Sequence, residues 1–110
     1  MREPLSQPDD GPPGLWRVET HSKSARRGWE ALCQQLPENT ERCRVWLSST
    51  PMQRIAGRCY PLKHRRYEGA WCFEVGAGER VYYIPQEQTR MVVIYYAGKH
   101  PKDGPPYPPA

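Results

Sequence analysis

The sequence predicts an α+β domain: an N-terminal strand, a helical hairpin, then a three-stranded antiparallel meander, with the helices covering one face of the sheet. Three observations predict it. Apolar residues recur at helical spacing through residues 22–36 and again through 38–50. From residue 70 to 98 the spacing changes to alternation, in runs rich in β-branched and aromatic residues. Glycine and proline punctuate each change of period.

In chain order, "LWRVETH" (15–21) alternates Leu15, Arg17 and Glu19 with Trp16, Val18 and Thr20, which suits a first strand. "SKSARRGWEALCQQL" offers Ser22 or Ser24 as an N-cap and spaces Ala25, Trp29, Leu32, Cys33 and Leu36 helically. Pro37 ends that helix and can open the next, since proline is tolerated in a first turn. "ENTERCRVWLSST" puts Cys43, Trp46 and Leu47 on one stripe, and Pro51 closes it. "MQRIAGRCYPLKHRRYEG" reads as an irregular basic link with a short strand near Arg58 to Leu62. The meander follows as "AWCFEV", a "GAG" turn, "ERVYYIP", a second turn at "PQEQT", and "RMVVIYYAG".

The GAG turn sets a register. If it takes three residues, Val75 pairs with Glu79, Glu74 with Arg80, Phe73 with Val81 and Trp71 with Tyr83. Trp71, Phe73, Val75, Val81 and Tyr83 then share the helix-packed face, and Cys72, Glu74, Arg80 and Tyr82 share the other. A slip of one residue would bury Glu74 among aromatics, so the three-residue turn is favoured.

Both ends are proline-rich and poor in apolar side chains. Residues 1–14 are expected to be a disordered tail, residues 15–98 the folded domain, and residues 99–110 a second tail able to contribute site residues. The domain holds all four tryptophans and six of the seven tyrosines, so its core rests on few, large side chains. The formal charge is +4; residues 1–14 carry Arg2 against Glu3, Asp9 and Asp10, which leaves +6 on the rest. Much of that excess lies in "RIAGRCYPLKHRR", where Arg54, Arg58, Lys63, Arg65 and Arg66 meet no acid before Glu68. Such a stretch favours a polyanion or an acidic protein, or is simply a solvated surface.

Cys33, Cys43, Cys59 and Cys72 have no CxxC spacing, which argues against a zinc site; Cys33 and Cys72 read as buried thiols. No secretory segment or membrane-spanning apolar run is apparent, so a cytoplasmic setting with reduced thiols is expected.

The element order, the aromatic-led "WCFEV", the following "ERVYYI", the segment "YPLKHRRYEGAW" and a last strand running into "GKH" together resemble the RelE/ParE superfamily, the toxin halves of bacterial toxin–antitoxin pairs. The resemblance spans roughly Trp16 to Tyr107. It implies one of two activities: RelE-like members cut messenger RNA in the ribosomal A site, whereas ParE-like members inhibit DNA gyrase. It also implies a cognate antitoxin that wraps the toxin, with mRNA and the ribosome as further partners. No cofactor, metal, small-molecule ligand or membrane is implied.

RNA cleavage of this kind uses the ribose 2′-hydroxyl as nucleophile. It needs a proton acceptor, cations for the phosphorane and an acid for the leaving 5′-oxygen. Arg80 matches the third-strand arginine that binds phosphate in RelE-like toxins, a role suited to a forked guanidinium. Cys72 and Glu74 stand where lysine-pair enzymes of the family are basic. Glu74 could accept the 2′-hydroxyl proton, or it could merely pair with Arg80 across the hairpin, a contact worth about 0.2–1 kcal/mol. His100 follows "AGK" where a family arginine or histidine often sits, and imidazole can donate a proton near neutral pH. Tyr107 falls near the family's C-terminal tyrosine, inside "PPYPP", where a polyproline-II tail is the alternative. Lys63, His64, Arg65, Arg66 and Lys99 are expected to position RNA phosphates. The leading expectation is a ribosome-dependent endoribonuclease toxin; the alternatives are a ParE-like gyrase inhibitor and a non-catalytic binding module on the same fold.

Overall fold

The computed structural model describes residues 15–109 and shows an α+β fold in which two helices pack on one face of a five-stranded sheet. The expected tail at residues 1–14 lies outside the described residues. Strand β1 (Arg17–Thr20) leads into α1 (Lys23–Gln35), whose N-cap is Ser22: its hydroxyl accepts from the Ala25 amide at 3.1 Å. Leu36 alone separates α1 from α2 (Pro37–Ser49), and Pro37 occupies the first turn, where its missing N–H costs nothing. The buried Thr40 hydroxyl donates to the Leu32 carbonyl at 3.0 Å, tying the two helices together just beyond their turn.

The short strand expected in the basic link is β2 (Cys59–Pro61). β3 (Trp71–Glu74), β4 (Glu79–Gln86) and β5 (Met91–Lys99) form the meander. The register follows the three-residue turn, with Glu74 opposite Arg80, Phe73 opposite Val81 and Trp71 opposite Tyr83. The Val75 amide donates to the Glu79 carbonyl at 3.0 Å and closes it. Strand order is β1-β5-β4-β3-β2, with β1 parallel to β5 and the other pairs antiparallel.

The core lies between helices and sheet. Trp29 and Leu32 of α1, and Cys43 and Leu47 of α2, meet Phe73, Val75, Val81, Tyr83, Val92, Ile94 and Ala97. The approach of α1 to β5 is close enough to demand glycine: a Cβ on Gly28 would lie 2.0 Å from the Ala97 carbonyl oxygen. Tyr83 is the tyrosine of this apolar cluster, and its hydroxyl donates to the Pro51 carbonyl at 2.7 Å. Cys59 Sγ, 3.0 Å from the same oxygen, is then left as the donor to it.

One residue departs from the sequence reading, and two further features lie beyond it. Cys33, expected to be buried, is exposed. At 100° per residue it sits some 80° from Ala25, at the rim of the apolar face that Ala25, Trp29 and Leu32 fill. All four cysteines are free thiols, and the other three are buried. A β-bulge interrupts the β4–β5 ladder: Tyr82 pairs with Tyr96 but Tyr83 pairs with Ile94, so Tyr95 is an extra residue. Finally, the C-terminal residues make defined contacts with the rest of the fold. Lys99 ends β5, and Pro105 and Pro106 are hydrogen-bonded to side chains of the sheet and its approach loop.

Candidate functional site

The sheet face turned away from the helices is where the chemistry-bearing residues collect, in two groups at opposite ends of β3. The four-residue strand separates them by about 10 Å, at ~3.3 Å per residue.

The first group stands at the GAG turn. Arg80 Nη2 lies 3.8 Å from Glu74 Oε1, while Arg80 Nη1 donates to the carbonyls of Gly76 and Glu79, each at 3.0 Å. The guanidinium therefore braces the turn through one nitrogen and faces the carboxylate with another. The second carboxylate oxygen of Glu74 accepts from the Tyr60 hydroxyl at 2.6 Å. Burial and then this carboxylate push the Tyr60 phenol well above its ordinary value, so it stays a donor. Arg58 holds the backbone on the same residue: its Nη1 donates to the Glu74 carbonyl at 2.7 Å, and its own carbonyl accepts from the Glu74 amide at 2.7 Å. His100 joins this end of the sheet through its backbone, its amide donating to the Gly78 carbonyl at 2.9 Å; its side chain is exposed. Lys99 pairs with Glu79 at the neighbouring register position. Cys72, one residue pair further in, is buried, and burial pushes its thiol up to about 11, so it remains neutral.

The second group precedes β3. Lys63, His64, Arg65 and Arg66 are all exposed, on a segment that ends in one short 3-10 turn (Arg65–Tyr67) capped by His64, whose Nδ1 accepts from the Arg66 amide at 3.2 Å. Tyr107 belongs here. Its hydroxyl accepts from Arg66 Nη1 at 3.2 Å, Arg66 lies 5.6 Å over its ring, and Tyr67 stacks against it at 5.1 Å. The structure thus brings Glu74, Arg80, Lys99 and His100 to one end and Lys63 to Arg66 with Tyr107 to the other. Between them Tyr82 is buried among the rings of Tyr95 (6.3 Å) and Tyr96 (5.7 Å).

Tyr60, Arg58, Tyr67 and Tyr95 join these groups without a signal in the sequence that pairs them. Tyr60 and Arg58 require the β2–β3 register, which sets Tyr60 opposite Cys72. Tyr95 requires the bulge. Behind the turn, a cleft of about 320 Å³ opens between α2 and β3, flanked by Asn39, Arg42 and Arg58 and floored by Trp46, Phe73 and Val75. Among the described residues no cluster of His, Cys, Asp or Glu has the makings of a metal site. No helix among them is long and apolar enough to cross a membrane.

No family model matches the sequence, and no curated protein is significantly similar to it. Its likeness to known proteins is visible in structure. The chain resembles a structure of the Escherichia coli DinJ–YafQ toxin–antitoxin complex with a TM-score of 0.61 at 12% identity, over 78% of this chain and 93% of that one. It resembles the YoeB/ParE toxin from Agrobacterium tumefaciens with a TM-score of 0.60 at 17% identity, over 76% and 98% of the two chains. A YoeB–YefM complex from Staphylococcus aureus matches with a TM-score of 0.58 at 15% identity, over 78% and 98%. The chain therefore shares its fold with these toxin and toxin–antitoxin structures. At these identities the likeness defines the fold and leaves activity to be argued from the site.

Proposed function

We propose that this chain is the toxin half of a toxin–antitoxin pair and acts as a ribosome-dependent endoribonuclease of RelE type. The observation that carries the reading is the placement of Glu74 against Arg80 on the open face, within one short strand of the exposed Lys63–Arg66 cluster. A carboxylate beside a guanidinium supplies two of the three functions that 2′-hydroxyl attack requires. Glu74 Oε1 accepts the nucleophile's proton while Tyr60 holds Oε2 in place. Arg80, already fixed by the turn carbonyls, turns Nη2 to a non-bridging phosphate oxygen and stabilises the charge that develops there. His100, on the strand end beside the turn, protonates the leaving 5′-oxygen. Lys63, Arg65 and Arg66 hold flanking phosphates, so binding weakens steeply as salt rises. The cognate antitoxin neutralises the toxin by covering this face, in keeping with the toxin–antitoxin complexes among the fold's relatives.

Purified protein added to translating ribosomes should cut mRNA, and Arg80→Ala should lower the rate about 100-fold or more, the usual loss when a preorganised charge donor is removed. Uncut message together with inhibited gyrase would replace this reading by the ParE-like one. One observation favours a non-catalytic binding module instead: Glu74 and Arg80 already satisfy each other, Tyr60 and the turn. Expression without growth arrest would select it.

A further inference from the structure

The chain fills part of its own open face with prolines. Tyr67, from the turn before β3, donates its hydroxyl to the Pro105 carbonyl at 2.9 Å. Tyr95, the bulge residue of β5, donates to the next carbonyl, that of Pro106, at 3.0 Å. Tyr107 then lies on the Tyr67 ring with Arg66 above it. Consecutive prolines have no N–H to offer a sheet edge and present only carbonyls and ring faces. Two hydroxyl donors on adjacent carbonyls, with aromatic and guanidinium faces for the side chains, match those needs.

We propose that Tyr67, Tyr95 and Arg66 form a binding groove for an extended proline-rich peptide, occupied in cis by residues 105–107 and open to a proline-rich segment of a partner protein that displaces them. The proposal does not rest on the ribonuclease reading, which shares Arg66 with it but uses neither Tyr67 nor Tyr95. Burial raises the Tyr95 phenol, which keeps its hydroxyl a donor over the physiological range. Tethering favours the cis occupant: only five residues separate Lys99 from Pro105, and short tethers supply effective concentrations of about millimolar. An incoming segment must compete with that concentration, so the groove responds to a longer or better-fitting sequence of the same chemistry and ignores weak ones.

The test uses the full chain with tyrosine rings isotopically labelled and the unlabelled peptide GPPYPPA as probe. Nuclear magnetic resonance should show Tyr107 close to Tyr67 in the free protein. Added peptide should shift the Tyr67 and Tyr95 rings saturably in the millimolar range. Tyr95→Phe, which keeps the ring and removes one donor, should weaken the cis seating about 3- to 10-fold and so reduce the Tyr107–Tyr67 proximity in the free protein, and a probe with its prolines replaced by alanine should not bind. The idea fails if Tyr107 is free of Tyr67 in the unliganded chain, if the alanine probe binds equally well, or if Tyr95→Phe leaves the Tyr107–Tyr67 proximity unchanged. It fails also if only a short RNA displaces the tail, which would make the groove part of a nucleic-acid surface. Contacts that appear only as protein concentration rises would assign the groove to the tail of a second copy and would equally overturn the cis arrangement. Loss of mRNA cleavage with intact peptide binding would overturn the enzymatic reading and leave the groove standing.

Discussion

The two faces of the sheet are buried by different means. Toward the helices, Phe73, Val75, Val81 and Ile94 interlock with Trp29, Leu32 and Leu47, and almost every contact is apolar. On the opposite face Cys72 and Tyr82 are just as buried, each 1% exposed. Their surroundings, however, are polar-tipped: Tyr60 on Glu74, Arg80 on the turn, and Tyr67 and Tyr95 on proline carbonyls. Apolar burial is lost only when the fold opens. Side-chain hydrogen bonds at a covered surface can be exchanged for those of a ligand at small net cost. The face that could react is the one whose cover is exchangeable.

The largest test of that contrast is on the helix side. Leu47→Ala removes a fully buried side chain between helix and sheet, and should cost about 2–5 kcal/mol in denaturant unfolding. A loss below about 1 kcal/mol would show that the helix face is not the main source of stability.

A second test probes how well the open face excludes water. Burial holds the Cys72 thiol at about 11 against an ordinary 9.0, so the folded state favours the neutral form. That contribution is complete below pH 9, where the thiol is protonated in folded and unfolded chains alike, and is lost between pH 9 and 11 as only the unfolded chain ionises. Two pKa units correspond to about 2–3 kcal/mol. Unfolding free energies measured at pH 8 and pH 11 should therefore fall less steeply in Cys72→Ala than in the parent. Equal slopes would mean that water reaches the thiol.

The smallest expected effect concerns the hairpin charges. A double-mutant cycle with Glu74→Gln and Arg80→Met should give a coupling of about 0.2–1 kcal/mol in stability, because the contact is long and partly solvated. A coupling well above that range would make the pair a structural clamp and weaken its claim to chemistry.

Much of the hairpin was legible before folding. The GAG turn and the strict alternation around it favoured Glu74 opposite Arg80, since a slip of one residue would bury a carboxylate among aromatics. Tyr60 was not legible, because its partner is set by a three-residue strand in a link with no clear period. Cys33 misled for the opposite reason: helical spacing places it near the apolar stripe, and only the width of the helix–sheet contact decides that it lies outside.

The sequence by itself determined the element types, the helical hairpin around Leu36 and Pro37, and the face on which each residue of β3 and of the first half of β4 lies. Those follow from local sterics and from the periods of helix and strand. Tertiary structure alone decided the parallel docking of β1 on β5, the bulge that aims Tyr95 beside Tyr82, and the seating of the proline-rich end. Composition reads that end as a tail because it carries little apolar surface of its own. What seats it is a pair of hydroxyl donors, nearly thirty residues apart in sequence, that only the folded sheet brings to adjacent carbonyls.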